Sequence, residues 1–171
     1  MIEILDQLDI LARPELDLST LSLAGVHFGA RAADAIPRDR VTQVTPANAI
    51  PYYGAVGQRP DGDAEIVDGT VHFAGQLSFK VAGGLVVGFT LYGEAQLDHF
   101  REIATYEDFL VRFGTPDRIE KREAFGDLLG YRNYYDRSRK QVYWDHKAGR
   151  LAQISLGAYE GTFPPLTAPN G

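Results

Sequence analysis

Apolar residues recur along this chain with two different periods. In residues 77–91, Leu77, Phe79 and Val81 alternate with Ser78 and Lys80, and after Gly83-Gly84 a second run places Val87, Phe89 and Leu91 on one side. A period of two marks a half-buried strand, and a Gly-Gly pair between two such runs marks a hairpin turn, because glycine takes positive φ without a Cβ clash. In residues 105–116 the period becomes helical. Tyr106, Phe109, Leu110 and Phe113 fall at i, i+3, i+4 and i+7, Thr105 and Asp108 make a variant of the capping box, and Gly114 and Pro116 end the helix. Residues 131–137 and 140–146 are aromatic-rich and predict two strands. A glycine-containing turn follows at 146–150, and a strand returns at 151–156. A lone helix cannot bury its apolar stripe and a short sheet cannot cover its own face, so each must cover the other.

The remaining patterns are shorter. Ile4, Leu5, Leu8 and Leu11 predict a first helix over 1–12 that stops before Pro14, and residues 16–23 read as a connector or a short strand. Residues 25–29 look extended, and 30–36 predict a brief helix before Pro37. A long loop is expected over 46–70, dense in proline, glycine and tyrosine, with one strand at 52–56. Residues 94–103 predict a helix with Leu97 and Phe100 inward, and the tail at 161–171 reads as flexible.

Setting Gly84 against Gly149 gives an offset of 65 residues (149 − 84), at which Leu77, Phe79, Phe89 and Leu91 fall on Val142, Trp144, Ile154 and Leu156. This predicts two tandem α+β units, 1–93 and 94–160, with an insertion in the first unit's loop. Thr105, Phe113-Gly114-Thr115-Pro116, Val142-Tyr143-Trp144-Asp145, Gly149, Leu151 and Ile154 together resemble one repeat of the superfamily that holds the β-lactamase inhibitory protein and the small lipoprotein of the outer-membrane barrel-assembly machinery. The resemblance implies two copies of a helical pair on a four-stranded antiparallel sheet, making one sheet of about eight strands with helices on one face. It also implies a concave sheet surface that grips a protein partner.

Composition narrows the chemistry. The chain has 171 residues, no cysteine and a net charge of −6, so disulfides, thiolate metal sites and cysteine nucleophiles are excluded. No apolar run of about eighteen residues predicts a membrane span, and the acidic start lacks the basic region of an export signal, which predicts a cytoplasmic protein. The negative balance argues against nucleic acid as partner, leaving Arg132, Arg137, Arg139 and Lys140, interleaved with Tyr134 and Tyr135, as a solvated strand edge. Asp61, Asp63, Glu65 and Asp68 gather oxygen ligands, but Ile66 and His72 stand where a calcium loop needs glycine and glutamate, so a solvated acidic loop is expected. Asp98-His99 and Asp145-His146 suggest dyads, yet adjacent strand residues point to opposite faces. No phosphate loop or nucleophile elbow occurs. No catalytic residue, metal or cofactor is therefore assigned.

What the pattern does offer is a face. Opposite the apolar strand positions lie Ser78, Lys80, Thr90, Gln141, Tyr143, Gln153 and Ser155, which suit an open, wet surface. The expectation is a non-enzymatic protein-binding module, an inhibitor or immunity protein, whose acidic charge would steer it to a basic toxin or enzyme. The alternative is a cone-shaped, isomerase-like fold that encloses a small ligand.

Overall fold

The two predicted hairpins lie side by side in one sheet. The structure is a computed structural model and describes residues 1–47 and 65–158. The chain begins with strand β1 (Ile2–Glu3), two 3-10 turns (Ile4–Asp6, Leu8–Ala12), strands β2 (Leu21–Leu23) and β3 (Val26–His27), and helix α1 (Ala32–Ala35). Strands β4 (Val41–Pro46), β5 (Gly69–Phe73), β6 (Leu77–Ala82) and β7 (Leu85–Leu91) follow. Helices α2 (Glu94–Leu97) and α3 (Tyr106–Phe113) lead into β8 (Arg118–Ala124), β9 (Asp127–Tyr135), β10 (Lys140–Asp145) and β11 (Arg150–Gly157). The first three strands make a small sheet, and the other eight make one antiparallel sheet in the order β4-β5-β6-β7-β11-β10-β9-β8. The fold is α+β, dominated by sheet.

At the seam, β7 pairs with β11 through Leu91 and Ile154, Thr90 and Ser155, and Phe89 and Leu156. One core runs beneath the whole sheet, joining Val71, Phe79 and Phe89 to Val142, Trp144 and Ile154. The small sheet and the helices cover it, contributing Ile4, Leu23, Ile36, Phe100, Phe109 and Phe113 to the same cluster. Phe79 meets Phe89 edge-on at 5.7 Å, and Phe109 lies 6.0 Å from Trp144, so the residues expected to share a core do so.

Helix α3 follows its sequence signals closely. Thr105 Oγ1 accepts the Asp108 amide at 3.1 Å, and Gly114 leaves the helix at φ 87°. The hairpin turn at Gly83-Gly84 also forms, with φ of 59° and 74°. Its two amides donate to the Asp68 carboxylate at 2.8 and 2.9 Å, so Asp68 serves as a turn clamp. Asp61, Asp63, the strand expected at 52–56 and the tail at 161–171 lie outside the described residues.

Four expectations change. The first helix is not α-helical: Gln7, at φ −140° and ψ 61°, divides two 3-10 turns, and Ile10 joins Ile4 and Leu11 as a buried residue. The helix expected over 94–103 forms only at Glu94–Leu97 and passes into a 3-10 turn at Asp98–Phe100. Val87 does not join the core cluster with Phe89 and Leu91. The β6–β7 register pairs Lys80 with Gly88 and Val81 with Val86, so a bulge at Val87 rotates Val86 inward instead. Lastly, Arg132, Arg137, Arg139 and Lys140 do not form one basic edge. Arg137 pairs with Glu15 at 2.9 Å, Arg132 faces away from the core, and Lys140 is fully buried beneath the sheet.

Candidate functional site

Strand pairing places one polar row across the sheet. From β5 to β8 the directly paired residues are His72, Ser78, Thr90, Ser155, Gln141, Tyr134 and Arg118, an unbroken line over seven strands. All share parity, so all point away from the core. The sheet curves around this row into a concave depression of about 590 Å³. All seven residues expected on the wet face, Ser78, Lys80, Thr90, Gln141, Tyr143, Gln153 and Ser155, line it.

The floor is polar and sheltered. Ser78, Gln141 and Ser155 are buried even though they lie on the solvent side, because longer side chains rise around them. Thr90 Oγ1 and Ser155 Oγ are 3.0 Å apart, and Gln153 Nε2 donates to Ser155 Oγ at 3.2 Å. Tyr143 lies over Gly130: a Cβ added there would come within 2.6 Å of the tyrosine oxygen. That glycine gives the ring its seat.

Residues not expected on this face complete the walls: Thr70 and His72 on β5, Tyr92 after β7, Arg122 on β8, and Leu129 and Arg132 on β9. His72 lies between Thr45 and Tyr92, with Nε2 3.4 Å from Thr45 Oγ1 and Nδ1 3.5 Å from Tyr92 Oη. Burial lowers the imidazole pKa and raises that of the Tyr92 phenol, so both favour their neutral forms. Burial also raises Tyr143, reinforced by Asp145 and opposed by Arg122 and Arg132. The alternation Thr70, Val71, His72, Phe73 carried a legible signal for β5, whereas Arg122 sits in a strand with no apolar alternation.

The charge of the depression differs from that of the chain. Among the described residues its lining carries Lys80, Arg122 and Arg132 and no carboxylate. Glu120 borders it, with Oε1 3.4 Å from Arg132 and 3.6 Å from Arg122 and with Oε2 accepting from Tyr134 Oη at 3.2 Å. Asp145 also borders it, and its Oδ1 accepts the Ala148 amide at 2.9 Å. Arg118 covers Tyr134, with its guanidinium 4.2 Å from the ring centre.

The suggested dyads do not form. His99 bonds to Asp9 at 2.7 Å rather than to Asp98, which pairs with Arg101, and His146 lies exposed beyond the end of β10. No group of three or more histidine, aspartate or glutamate side chains converges in a metal-binding arrangement among the described residues. Among them, too, no helix is long and apolar enough to cross a membrane.

No family model matches the chain, and no curated protein sequence matches it. Among solved structures it is similar to the DUF4309-family protein YjgB of Bacillus subtilis, at 16% identity and a TM-score of 0.37, over 68% of this chain and 82% of that one.

Proposed function

We propose that this protein is a binding module that grips another protein with its concave sheet face. One observation carries the reading: the polar positions of four adjacent central strands, β6, β7, β11 and β10, converge on a single depression with a hydroxyl and amide floor. A floor of this kind can pair with main-chain groups of an incoming segment. Tyr92, Tyr143 and the two arginines around it are residue types that anchor interfaces. Such a module acts by covering its partner, as an inhibitor or immunity protein does.

The face is the product of an internal duplication in this reading. Leu91 pairs with Ile154, Thr90 with Ser155 and Phe89 with Leu156, so exchanging the two strands at an offset of 65 (155 − 90) returns the same set of pairs. Leu77 is opposite Leu91 and Lys140 is opposite Leu156, which makes the offset 63 (140 − 77) on the outgoing arms. The two-residue difference is the length of the turns, Gly83-Gly84 in one hairpin and 146–149 in the other. A module built this way has its local two-fold axis in the middle of the depression.

The test is site-specific photocrosslinking in the native host, with the probe at Gln153 on the face or at Val111 on the outward side of α3, where the residue is 85% exposed. The expected result is one stoichiometric protein adduct from position 153 and none from position 111. Equal adducts from both positions would sink the reading. Release of a bound metabolite on denaturation, with no protein adduct, would favour a small-ligand role, for which a volume of about 590 Å³ is large enough.

A further inference from the structure

We infer that the segment held by the concave face is acidic, with its carboxylates seated between Lys80 on one flank and Arg122 and Arg132 on the other; this rests on the reading of that face as a protein-binding surface. The net charge of the chain suggests a basic partner, but the face has the opposite sign. The whole chain carries −6, and Lys80, Arg122 and Arg132 contribute +3, so everything else sums to −9 (−6 − 3). An acidic ligand is repelled by most of the surface and drawn to this one place, which gives orientation as well as attraction.

The cations stand at opposite ends. Lys80 is on β6 and Arg132 on β9, four strand steps apart in the order β6-β7-β11-β10-β9, or roughly 19 Å at the usual strand spacing. They also occupy rows on opposite sides of the central one: Lys80 pairs with Thr70 and Gly88, Arg132 with Tyr143 and Glu120. An extended segment of about six residues spans that diagonal, with Ser78, Thr90, Ser155 and Gln141 beneath it. The two arginines share one carboxylate oxygen of Glu120, at 3.4 and 3.6 Å. Both distances exceed the 2.7–2.9 Å of a strong charge-assisted bond, so an incoming carboxylate can compete for the guanidinium donors.

The geometry favours a carboxylate-bearing peptide over a phosphate polymer. A peptide can be acidic for six residues and neutral beyond, whereas a nucleic acid stays anionic and would run onto the acidic remainder. The experiment is a titration of the full chain, followed by NMR and calorimetry, with an N-acetylated ten-residue oligoglutamate and with matched oligoglutamine, oligolysine and oligothymidylate. Wild type is compared with Lys80→Gln, Arg132→Gln and the outlying control Lys147→Gln. Oligoglutamate should shift the signals of Ser78, Thr90, Gln141 and Ser155 and weaken with salt. Its affinity should fall about tenfold in either face variant and stay unchanged in the control. Oligolysine binding the face in its place would overturn the charge assignment yet keep the face as a protein surface. Tighter binding by oligothymidylate would reassign the seat to phosphate polymers. Oligoglutamate binding that the two face variants leave unchanged, or no response at the face to any peptide, would overturn the acidic seat, while the Gln153 crosslink reports separately on the surface itself.

Discussion

Thr90 Oγ1 and Ser155 Oγ meet at 3.0 Å where β7 and β11 pair, 65 residues apart in sequence and at the centre of the polar face. Ser155 is 1% exposed, so its hydroxyl depends on Thr90 and on Gln153 for partners. The contact therefore joins the halves of the sheet and also fixes the floor of the depression.

This coupling is measurable. Thr90→Val and Ser155→Ala should each lower unfolding free energy by about 1 kcal/mol, the net worth of one neutral hydrogen bond. The double variant should cost less than the sum by about 0.5 kcal/mol or more, because the second change removes a bond already lost. Urea unfolding of the four proteins gives the cycle, and strict additivity would show that the hydroxyls do not support one another.

Lys140 occupies a position where the other hairpin has Leu77, since each lies opposite the last leucine of the pairing strand. Its ammonium donates to the carbonyls of Leu11 and Arg13 at 2.7 and 2.8 Å and faces the rings of Tyr135 and Phe113. It thus ties the 3-10 segment Leu8–Ala12 to the sheet. Burial pulls its pKa from 10.5 down to about 7. Between those values the unfolded chain holds a proton that the folded protein lacks, so stability gains from this residue as pH rises from about 7 toward 10, by at most about 1.4 kcal/mol per pH unit. Tyr106, raised by burial to about 12, acts in the other direction above pH 10, where unfolded tyrosine ionises first. In Lys140→Met the rise between pH 7 and 10 should disappear, and amide exchange in residues 8–13 should quicken. Parallel pH profiles for wild type and variant would contradict this.

Much of the platform was legible because apolar alternation survives wherever a strand covers a core. A helical period with its capping residues predicted α3, while the alternation predicted both hairpins and the parity of all seven face residues. It failed where the physics leaves no alternation. Strand β8 reads RIEKREA and is exposed over nearly its whole length at the sheet edge, so only pairing with β9 identifies it, and Arg122 was hidden with it. The Val87 bulge was hidden too, since two successive valines fit either face. Arg132 was visible but grouped with sequence neighbours that strand parity sends elsewhere, and Lys140 lies buried where composition suggested an exposed edge.

Asn133 is a second polar group within the core, and all of its bonds are local to the aromatic cluster. Its Oδ1 accepts from Tyr106 Oη at 2.5 Å, and its Nδ2 donates to the carbonyls of Val142 and Tyr131 at 3.1 and 3.2 Å. Tyr106 in turn stacks on Tyr131, with ring centres 4.2 Å apart. Asn133→Ala should cost about 2–3 kcal/mol, because it leaves the Tyr106 phenol without its acceptor and removes both amide donations to strand carbonyls, whereas Tyr106→Phe should cost about 1 kcal/mol. Chemical denaturation of the two variants gives the ranking, and the reverse order would show that the phenol, not the amide, organises the cluster.

Phe125 stands at the tip of the β8–β9 hairpin, fully exposed, with φ of 52°. Ala124 pairs with Asp127, so Phe125 and Gly126, at φ 81°, form a two-residue turn in which both central residues are left-handed. Asparagine and glycine suit that geometry, while a bulky aromatic side chain is strained in it. The ring gains no burial in exchange. Phe125→Asn, which creates the favoured Asn-Gly pair, should therefore stabilise the protein by about 0.5–1 kcal/mol and raise Tm by roughly 1–4 °C for a chain of this size. Calorimetry decides it. A lower Tm would show that the phenylalanine supports the turn rather than straining it.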